Sequence, residues 1–376
     1  VILPNDNQSY LMFATPFDQT YATWNGPMTG LEGIQNDYGV DIAYPIDQIE
    51  NKLPELLKKY TNLYFSIGND EQLDRIISNI VVKRRIGAIR DGNYLTNIID
   101  PKPTIDGMRL VKSQNEIDIL STAINATNTG FNRAINVTKP DKFEYEIQAE
   151  LEMEFRTSGS VRNGYPSIVA SGNNSCILHY TNNNCQLTDG DLLLIDAGAE
   201  IDYYTADITR TWPINGKFTS SQRDIYSLVL DAQLRAISEV KPNATIDSIN
   251  KVAVTVLTDG LIQLGLLSGN LEQLVGEKAY RKYYMHGTSH WLGIDVHDSG
   301  AYSKNNTFTK LQPGMVLTVE PGLYFSKYID DVPQELKGIG IRIEDNILVT
   351  KTGNTNLSQK IPKEIDAIEP MVGKLT

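Results

Sequence analysis

Three of the four histidines in this 376-residue chain, His286, His290 and His297, fall within twelve consecutive residues; the fourth is His179. Imidazoles placed for surface or core reasons are scattered, whereas metal ligation and acid/base work require them together. The stretch Met285-His286-Gly287-Thr288-Ser289-His290-Trp291-Leu292-Gly293-Ile294-Asp295-Val296-His297-Asp298 is not the His-Glu-x-x-His pattern of zincins, and a glycine lies between its first two histidines. Most ligands of any metal served by this window must come from elsewhere.

Carboxylates recur at the ends of apolar runs. Leu192-Leu193-Leu194-Ile195 reads as a buried strand ending in Asp196-Ala197-Gly198-Ala199-Glu200, where a carboxylate is costly unless something cationic holds it. Asp207 lies in Tyr204-Thr205-Ala206-Asp207-Ile208-Thr209-Arg210-Thr211, which reads as the returning strand of a hairpin. Arg210 neutralising an aspartate is the plainer alternative there. In Pro313 to Gly322 the alternation puts Val316, Thr318 and Glu320 on one face. In Gly338 to Asp345, Gly340, Arg342 and Glu344 share a face opposite Ile339, Ile341 and Ile343, and Asp345 points away; a surface ion-pair strand would show the same pattern. Together, two aspartates, two glutamates and one imidazole form an oxygen-rich set. Such a set suits Mn²⁺, Fe²⁺ or Co²⁺ better than a closed structural zinc site, and four carboxylates have bridging capacity for two metals.

The elements that must position these groups suggest two domains of an α/β protein. From Val1 to about Ile105, apolar runs at Tyr10–Phe13 and Leu63–Ile67 alternate with helical patterns at Asn51–Tyr60 and Glu71–Ile86. Trp24-Asn25-Gly26-Pro27 reads as a turn whose tryptophan serves packing. The diproline segment Ile99-Asp100-Pro101-Lys102-Pro103 is a stiff connector and marks the boundary between residues 1–105 and 106–376. Beyond it, Ser113-Gln114-Asn115-Glu116 has capping-box spacing before a long amphipathic helix. Further helices are expected from Phe143 to Phe155, Ser221 to Val240, Thr245 to Leu264 and Leu271 to Tyr284. The chain opens Val1-Ile2-Leu3-Pro4, as if inside a strand and without an initiator methionine, so a preceding segment is expected.

A net charge of −12 and a pI near 4.9 argue against nucleic acid or an anionic membrane as partner. Part of that charge has a use around bound cations. Cys176 and Cys185 are no disulfide framework, which points to free thiols, a reducing compartment and a cytoplasmic location. No apolar run approaches the ~20 residues of a membrane-spanning helix.

The ordered set Cys176-Ile177-Leu178-His179-Tyr180-Thr181, Ile195-Asp196-Ala197-Gly198, Ala206 to Thr211, His286 to Asp298, Thr318-Val319-Glu320-Pro321-Gly322 and Gly340 to Glu344 resembles aminopeptidase P. This is the Xaa-Pro aminopeptidase branch of the pita-bread metallopeptidases, which also include prolidase, methionine aminopeptidase and the metal-free creatinase. The resemblance runs from Val1 to about Met371 and implies a smaller N-terminal α/β domain, creatinase-like, followed by a pita-bread catalytic domain. It implies that Asp196, Asp207, His290, Glu320 and Glu344 hold two divalent ions, usually manganese, with cobalt, iron or zinc as substitutes. Asp207 and Glu344 would bridge. It further implies that His179, His286 and His297 support the site and that Arg342 fixes the carboxylates of Asp207 or Glu344.

The expected chemistry is hydrolysis of the bond before a proline in second position. A water bridging two cations becomes hydroxide near neutrality. Glu320 would be general base and proton shuttle, and His297 and His286 donors to the oxyanion. The X-Pro bond lacks an N–H and its ring blocks ordinary extended docking, so a dedicated pocket is needed; Tyr165, Trp291 and Tyr324 are candidate walls. Prolidase on the same fold is the nearest rival. The loop Ser299–Leu311 offers Lys304 and Lys310 but no arginine to clamp a dipeptide's carboxylate, which favours longer peptides. A non-catalytic pita-bread binding protein is the rival from another class, although all five ligand positions are filled. Relatives that are tetrameric line the site with a neighbouring subunit's tryptophan, and Trp24 falls where one would be; a homo-oligomer, dimer or tetramer, is the corresponding expectation.

Overall fold

The computed structural model describes residues 10–92 and 94–375. The chain divides into two compact units, Val1–Pro103 and Thr104–Thr376. The opening Val1–Pro4 lies outside the described residues.

In the first unit, strands and helices alternate: β1 (Leu11–Ala14), α1 (Gln19–Asn25), α2 (Gly30–Tyr38), β2 (Ile42–Pro45), α3 (Ile49–Leu56), β3 (Asn62–Tyr64), α4 (Glu71–Asp91) and β4 (Asn97–Ile99). β1 pairs with β2 and β3 with β4, both parallel, and Leu53, Leu57, Ile76, Ile77 and Ile80 form a small core. This is the expected α/β pattern. Trp24 differs from expectation. It lies in the last turn of α1, which Gly26 ends at a φ of 93°, and its side chain is 83% exposed, so it packs nothing within this unit.

The diproline connector is also shorter than expected, because α5 (Lys102–Leu110) begins inside it. Pro103 falls in the first turn, where a missing N–H breaks no helical hydrogen bond, so the proline starts a helix. The boundary accordingly precedes residue 105.

The second unit opens with α6 (Gln114–Val137), capped by Ser113 and Glu116 as the spacing requires, and α7 (Glu144–Thr157). These two pack so closely that a Cβ on Gly130 would sit 2.5 Å from the Phe155 ring and 2.9 Å from the Leu151 carbonyl. Short strands β5 (Arg162–Asn163) and β6 (Ile168–Ser171) lead to β7 (Leu192–Ala197), β8 (Ala199–Ile201), β9 (Tyr204–Thr205) and β10 (Ile208–Pro213). β7 lies between β10 and β6, antiparallel to both, with Asp196 opposite Thr209 and Ile168. Helices α8 (Ser220–Glu239) and α9 (Ile246–Gln263) follow, each capped by a threonine.

α10 (Leu271–Gly276) stops far short of Tyr284. Lys278 adopts a left-handed backbone with φ 58°, which an α-helix cannot continue through, and only a 3₁₀ turn at Ala279–Lys282 follows. The hairpin β11 (Ser303–Lys304) and β12 (Thr307–Phe308) precedes β13 (Val316–Val319), β14 (Gly322–Phe325), β15 (Ile339–Arg342), β16 (Asp345–Val349), β17 (Asn354–Asn356) and α11 (Ile365–Ile368). β13 pairs with β16 and β14 with β15, all antiparallel. Buried apolar residues of α6–α9 cover these sheets in one large and one smaller cluster. A mixed helix-and-sheet unit with antiparallel sheets therefore carries all the predicted ligands.

Candidate metal centre and active site

Strand pairing brings the acidic residues together. Asp196 ends β7; Asp207 precedes β10, the neighbouring strand; Glu344 follows β15, and its N–H bonds the Thr209 carbonyl at 3.1 Å. The histidine window arrives by a different route. Residues 288–292 run beside β13, with Thr318 N–H on the His290 carbonyl (2.9 Å) and Glu320 N–H on the Thr288 carbonyl (2.8 Å). That register sets His290 beside Glu320.

The five side chains line one cavity of about 630 Å³ together with His179, His286, His297, Arg342 and Tyr165. His290 Nε2 is 3.1 Å from Asp207 Oδ2 and 3.4 Å from Glu320 Oε1. Ligand atoms of Asp207, His290 and Glu344 all lie within 4.8 Å of one another. His290 Nδ1 donates to the Trp291 carbonyl at 3.0 Å, turning the other ring nitrogen towards the acids, which is the arrangement a ligating imidazole needs.

The donor set fits divalent cations. Glu344 Oε1 is buried without a hydrogen-bond partner, an orphan that a cation would satisfy. Burial first, then the charges of Asp207, Glu320 and Asp196, holds the Glu344 carboxyl well above its usual range. Burial likewise pushes Glu320 up to about 7, and raises Asp196 against the pull of Arg342. His290 is raised to about 9 because Asp207 and Glu320 outweigh the opposing effect of burial. Four acids face one guanidinium, so lone protons have to do what a cation would do better.

Arg342 is placed differently from expectation. Its Nη2 pairs with Asp196 Oδ2 at 2.5 Å, its Nε donates to Thr209 Oγ1 and its Nη1 to the Tyr324 hydroxyl, both at 3.0 Å. It fixes Asp196, not Asp207 or Glu344. The reason is that the end of β15 lies beside Thr209, through Glu344 N–H on the Thr209 carbonyl and Arg342 Nε on its hydroxyl, and Thr209 stands opposite Asp196 on β7. Thr209 escaped the sequence reading. Its hydroxyl donates to Glu344 Oε2 at 2.7 Å, and the signal was present in its position two residues after Asp207 on one strand.

Two candidate walls prove to be interior residues. Trp291 is fully buried, stacked on Tyr302 at 5.9 Å, and lies outside the cavity lining, because the alternation that turns His290 inwards turns its neighbour to the core. Tyr324 is fully buried as well, its hydroxyl 2.7 Å from His286 Nε2. Tyr165 does line the cavity, with its hydroxyl 2.6 Å from both Asp196 Oδ1 and Asp207 Oδ1. Ile168, Leu178 and Val296 supply the apolar wall that Trp291 and Tyr324 do not.

His286 loses its expected role at an oxyanion. Burial lowers it to about 3, so the ring is neutral. Its Nδ1 faces the Gly287 carbonyl at 2.8 Å and must carry the proton, which leaves Nε2 to accept from Tyr324. No N–H remains for substrate. His297 makes no such bonds among the described residues; burial and nearby His290 lower its pKa, and its ring stands edge-on to His290 at 4.4 Å. Arg210 neutralises an aspartate, but that aspartate is Asp345, with both side chains fully buried at 2.7 Å. Cys176 and Cys185 are free thiols.

Known proteins resemble this chain along nearly its whole length. Residues 118–351 match metallopeptidase family M24, and residues 1–64 match the aminopeptidase P N-terminal domain. The Xaa-Pro aminopeptidase of Haemophilus influenzae is 43% identical over 96% of this chain and 81% of its own length; that of Escherichia coli is 40% identical over 96% and 82%. Aminopeptidase PepP of Pseudomonas aeruginosa superposes with a TM-score of 0.92 at 38% identity, over 98% of this chain and 84% of that one. Escherichia coli aminopeptidase P in complex with substrate superposes with a TM-score of 0.90 at 40% identity, over 96% and 81%. The chain belongs to metallopeptidase family M24, in its aminopeptidase P branch.

Proposed function

We propose that this chain removes the N-terminal residue from peptides whose second residue is proline. The observation that carries this is the convergence of Asp196, Asp207, His290, Glu320 and Glu344 in one cavity, in a chain similar along its length to Xaa-Pro aminopeptidases. These five residues would hold two divalent cations, and manganese is the metal we propose for a set of four carboxylates and one imidazole. Cations held there would supply the Lewis acidity that activates a water at neutral pH and polarises the scissile carbonyl.

The chain's own residues complete the chemistry. Glu320, on the cavity wall with its Oε1 3.4 Å from His290 Nε2, is placed to take a proton from the attacking water and return it to the proline nitrogen, which must leave as an amine. His297, with no other hydrogen bond, is the N–H donor left to meet the developing oxyanion. The relay from Arg342 through Tyr324 to His286 fixes the tautomer of His286 and the position of Asp196. Ile168, Leu178 and Val296 exclude water and give apolar contact. We further propose action on peptides longer than two residues, as a homo-oligomer, in the cytoplasm. Two unpaired thiols support the last point, and no helix of the described residues is long and apolar enough to cross a membrane.

Manganese-loaded protein is expected to release the first residue of Xaa-Pro-Xaa peptides and to spare peptides without proline in second position. Strong preference for Gly-Pro over Gly-Pro-Xaa would favour a dipeptidase instead. Release from no X-Pro peptide would leave only a binding role.

A further inference from the structure

His179 lines the cavity, yet its imidazole is exposed and makes no hydrogen bond among the described residues, so its place depends on the backbone that carries it. That backbone is the long connection between β6 and β7, which also brings Leu178 and Thr181 to the cavity wall. Nothing in the chemistry above uses Glu144. It is nevertheless fully buried, and no lysine, arginine or histidine among the described residues pairs with it. A carboxylate in that setting persists only if several donors face it.

Five donors do: two from Ser171, the last residue of β6, and three from the connection that follows it. Oε1 accepts from Ser171 N–H and Oγ, both at 2.7 Å, and from Asn174 Nδ2 at 3.0 Å. Oε2 accepts from the Tyr180 hydroxyl at 2.7 Å and from Cys185 N–H at 2.9 Å. The Glu144 N–H in turn donates to the Cys185 carbonyl at 2.9 Å. Burial and then Glu144 raise the Tyr180 phenol, so it keeps its proton and donates. Glu144 is also the first residue of the 14-residue helix α7, whose N-terminal dipole favours a negative charge. One carboxylate on a rigid helix thus ties the chain on both sides of His179: at 171 and 174 before it, at 180 and 185 after it.

We infer that Glu144 is the positioning residue for His179, closing the 171–185 segment so that the imidazole is held at the cavity wall. The inference rests on the reading of that cavity as the active site. An amide at position 144 offers acceptors on one side only, so at least one backbone N–H of the segment loses its partner. If His179 acts at the wall it lines, a displacement of about 1 Å costs up to roughly 10²-fold in rate.

The test is a double-mutant cycle on the full, manganese-loaded chain with an Ala-Pro-Ala substrate, read beside amide hydrogen exchange. Glu144→Gln is expected to act on the same kinetic parameter as His179→Ala, by a lowered kcat or a raised KM, and to add less than about twofold once His179 is already alanine. Tyr180→Phe, which removes one hydrogen bond and keeps the ring, is expected to give a smaller loss with the same dependence on His179. It carries the cycle if Glu144→Gln does not fold. Both changes are expected to speed exchange of amides 172–185 and leave α9 unchanged. Equal losses with and without His179, or unaltered exchange across 172–185 beside an active wild type, would overturn the inference. A wild-type chain inactive on X-Pro peptides would instead sink the functional reading.

Discussion

Glu320 combines two properties that a proton carrier needs: a place on the cavity wall and His290 3.4 Å from its Oε1. Replacing it with glutamine keeps the shape and removes the proton site. Glu320→Gln is expected to lower kcat by about 10²–10⁴-fold, with circular dichroism unchanged; retained turnover would assign the proton transfer elsewhere. Thr209 is the residue whose importance the sequence least advertised, since a threonine in a β-branched strand looks like ordinary strand composition. Its hydroxyl serves both Glu344 and Arg342. Thr209→Val is expected to weaken metal binding about 10–100-fold, measurable by calorimetric titration. The thiols differ in the same physical terms. Burial pushes Cys176 up to about 12, whereas Cys185 is exposed. At pH 8 a thiol reagent should titrate one cysteine per folded chain, the second reacting only after unfolding or as pH climbs towards 12. Two rapid equivalents in the folded protein would contradict the shielding of the half-buried Cys176.

The elements that hold these residues owe their closeness to glycine at one crossing. A Cβ on Gly198 would sit 1.7 Å from the Ala206 carbonyl oxygen, where the chain leaves β7 and returns towards β10. Gly198→Ala must therefore spread Asp196 from Asp207, and a drop in stability of about 1–3 kcal/mol with loss of bound metal is expected from denaturant titration and metal analysis. Behind the site, Arg210 and Asp345 are tied into Glu344 through the Arg210 Nη1 bond to the Glu344 carbonyl at 2.6 Å, and Lys363, Gln233, Asn356 and Ser358 also donate to the Asp345 carboxylate. Asp345→Ala leaves Arg210 buried and unpaired, a loss of about 3–5 kcal/mol. Much of this level was legible. The Ser113–Glu116 box announced α6, and alternation in Gly338–Asp345 correctly opposed Asp345 to Glu344. Trp291 and Tyr324 turn inwards because facing, which aromatic type does not report, is set by long-range pairing: residues 288–292 lie beside β13, and Tyr324 stands opposite Gly340 on β15. The early end of α10 depended on one left-handed residue, Lys278, of a type that ordinarily continues helices.

For the molecule as a whole, every predicted ligand falls in the unit Thr104–Thr376, drawn from strands and loops separated by up to 148 positions between Asp196 and Glu344. The sequence could name such a set only through its ordered motifs, because separation of that size defeats any periodicity. Cations that bind the folded site and not the open chain must stabilise it, by about 2.7 kcal/mol at a free concentration 100 times Kd. Chelation is therefore expected to lower Tm and abolish hydrolysis together, and manganese to restore both. The measurement closest to the central claim is anomalous diffraction at the manganese edge from crystals grown with Mn²⁺. The account predicts two peaks enclosed by Asp196, Asp207, His290, Glu320 and Glu344. A map with no peak among these five side chains, or with peaks only elsewhere on the chain, would contradict it.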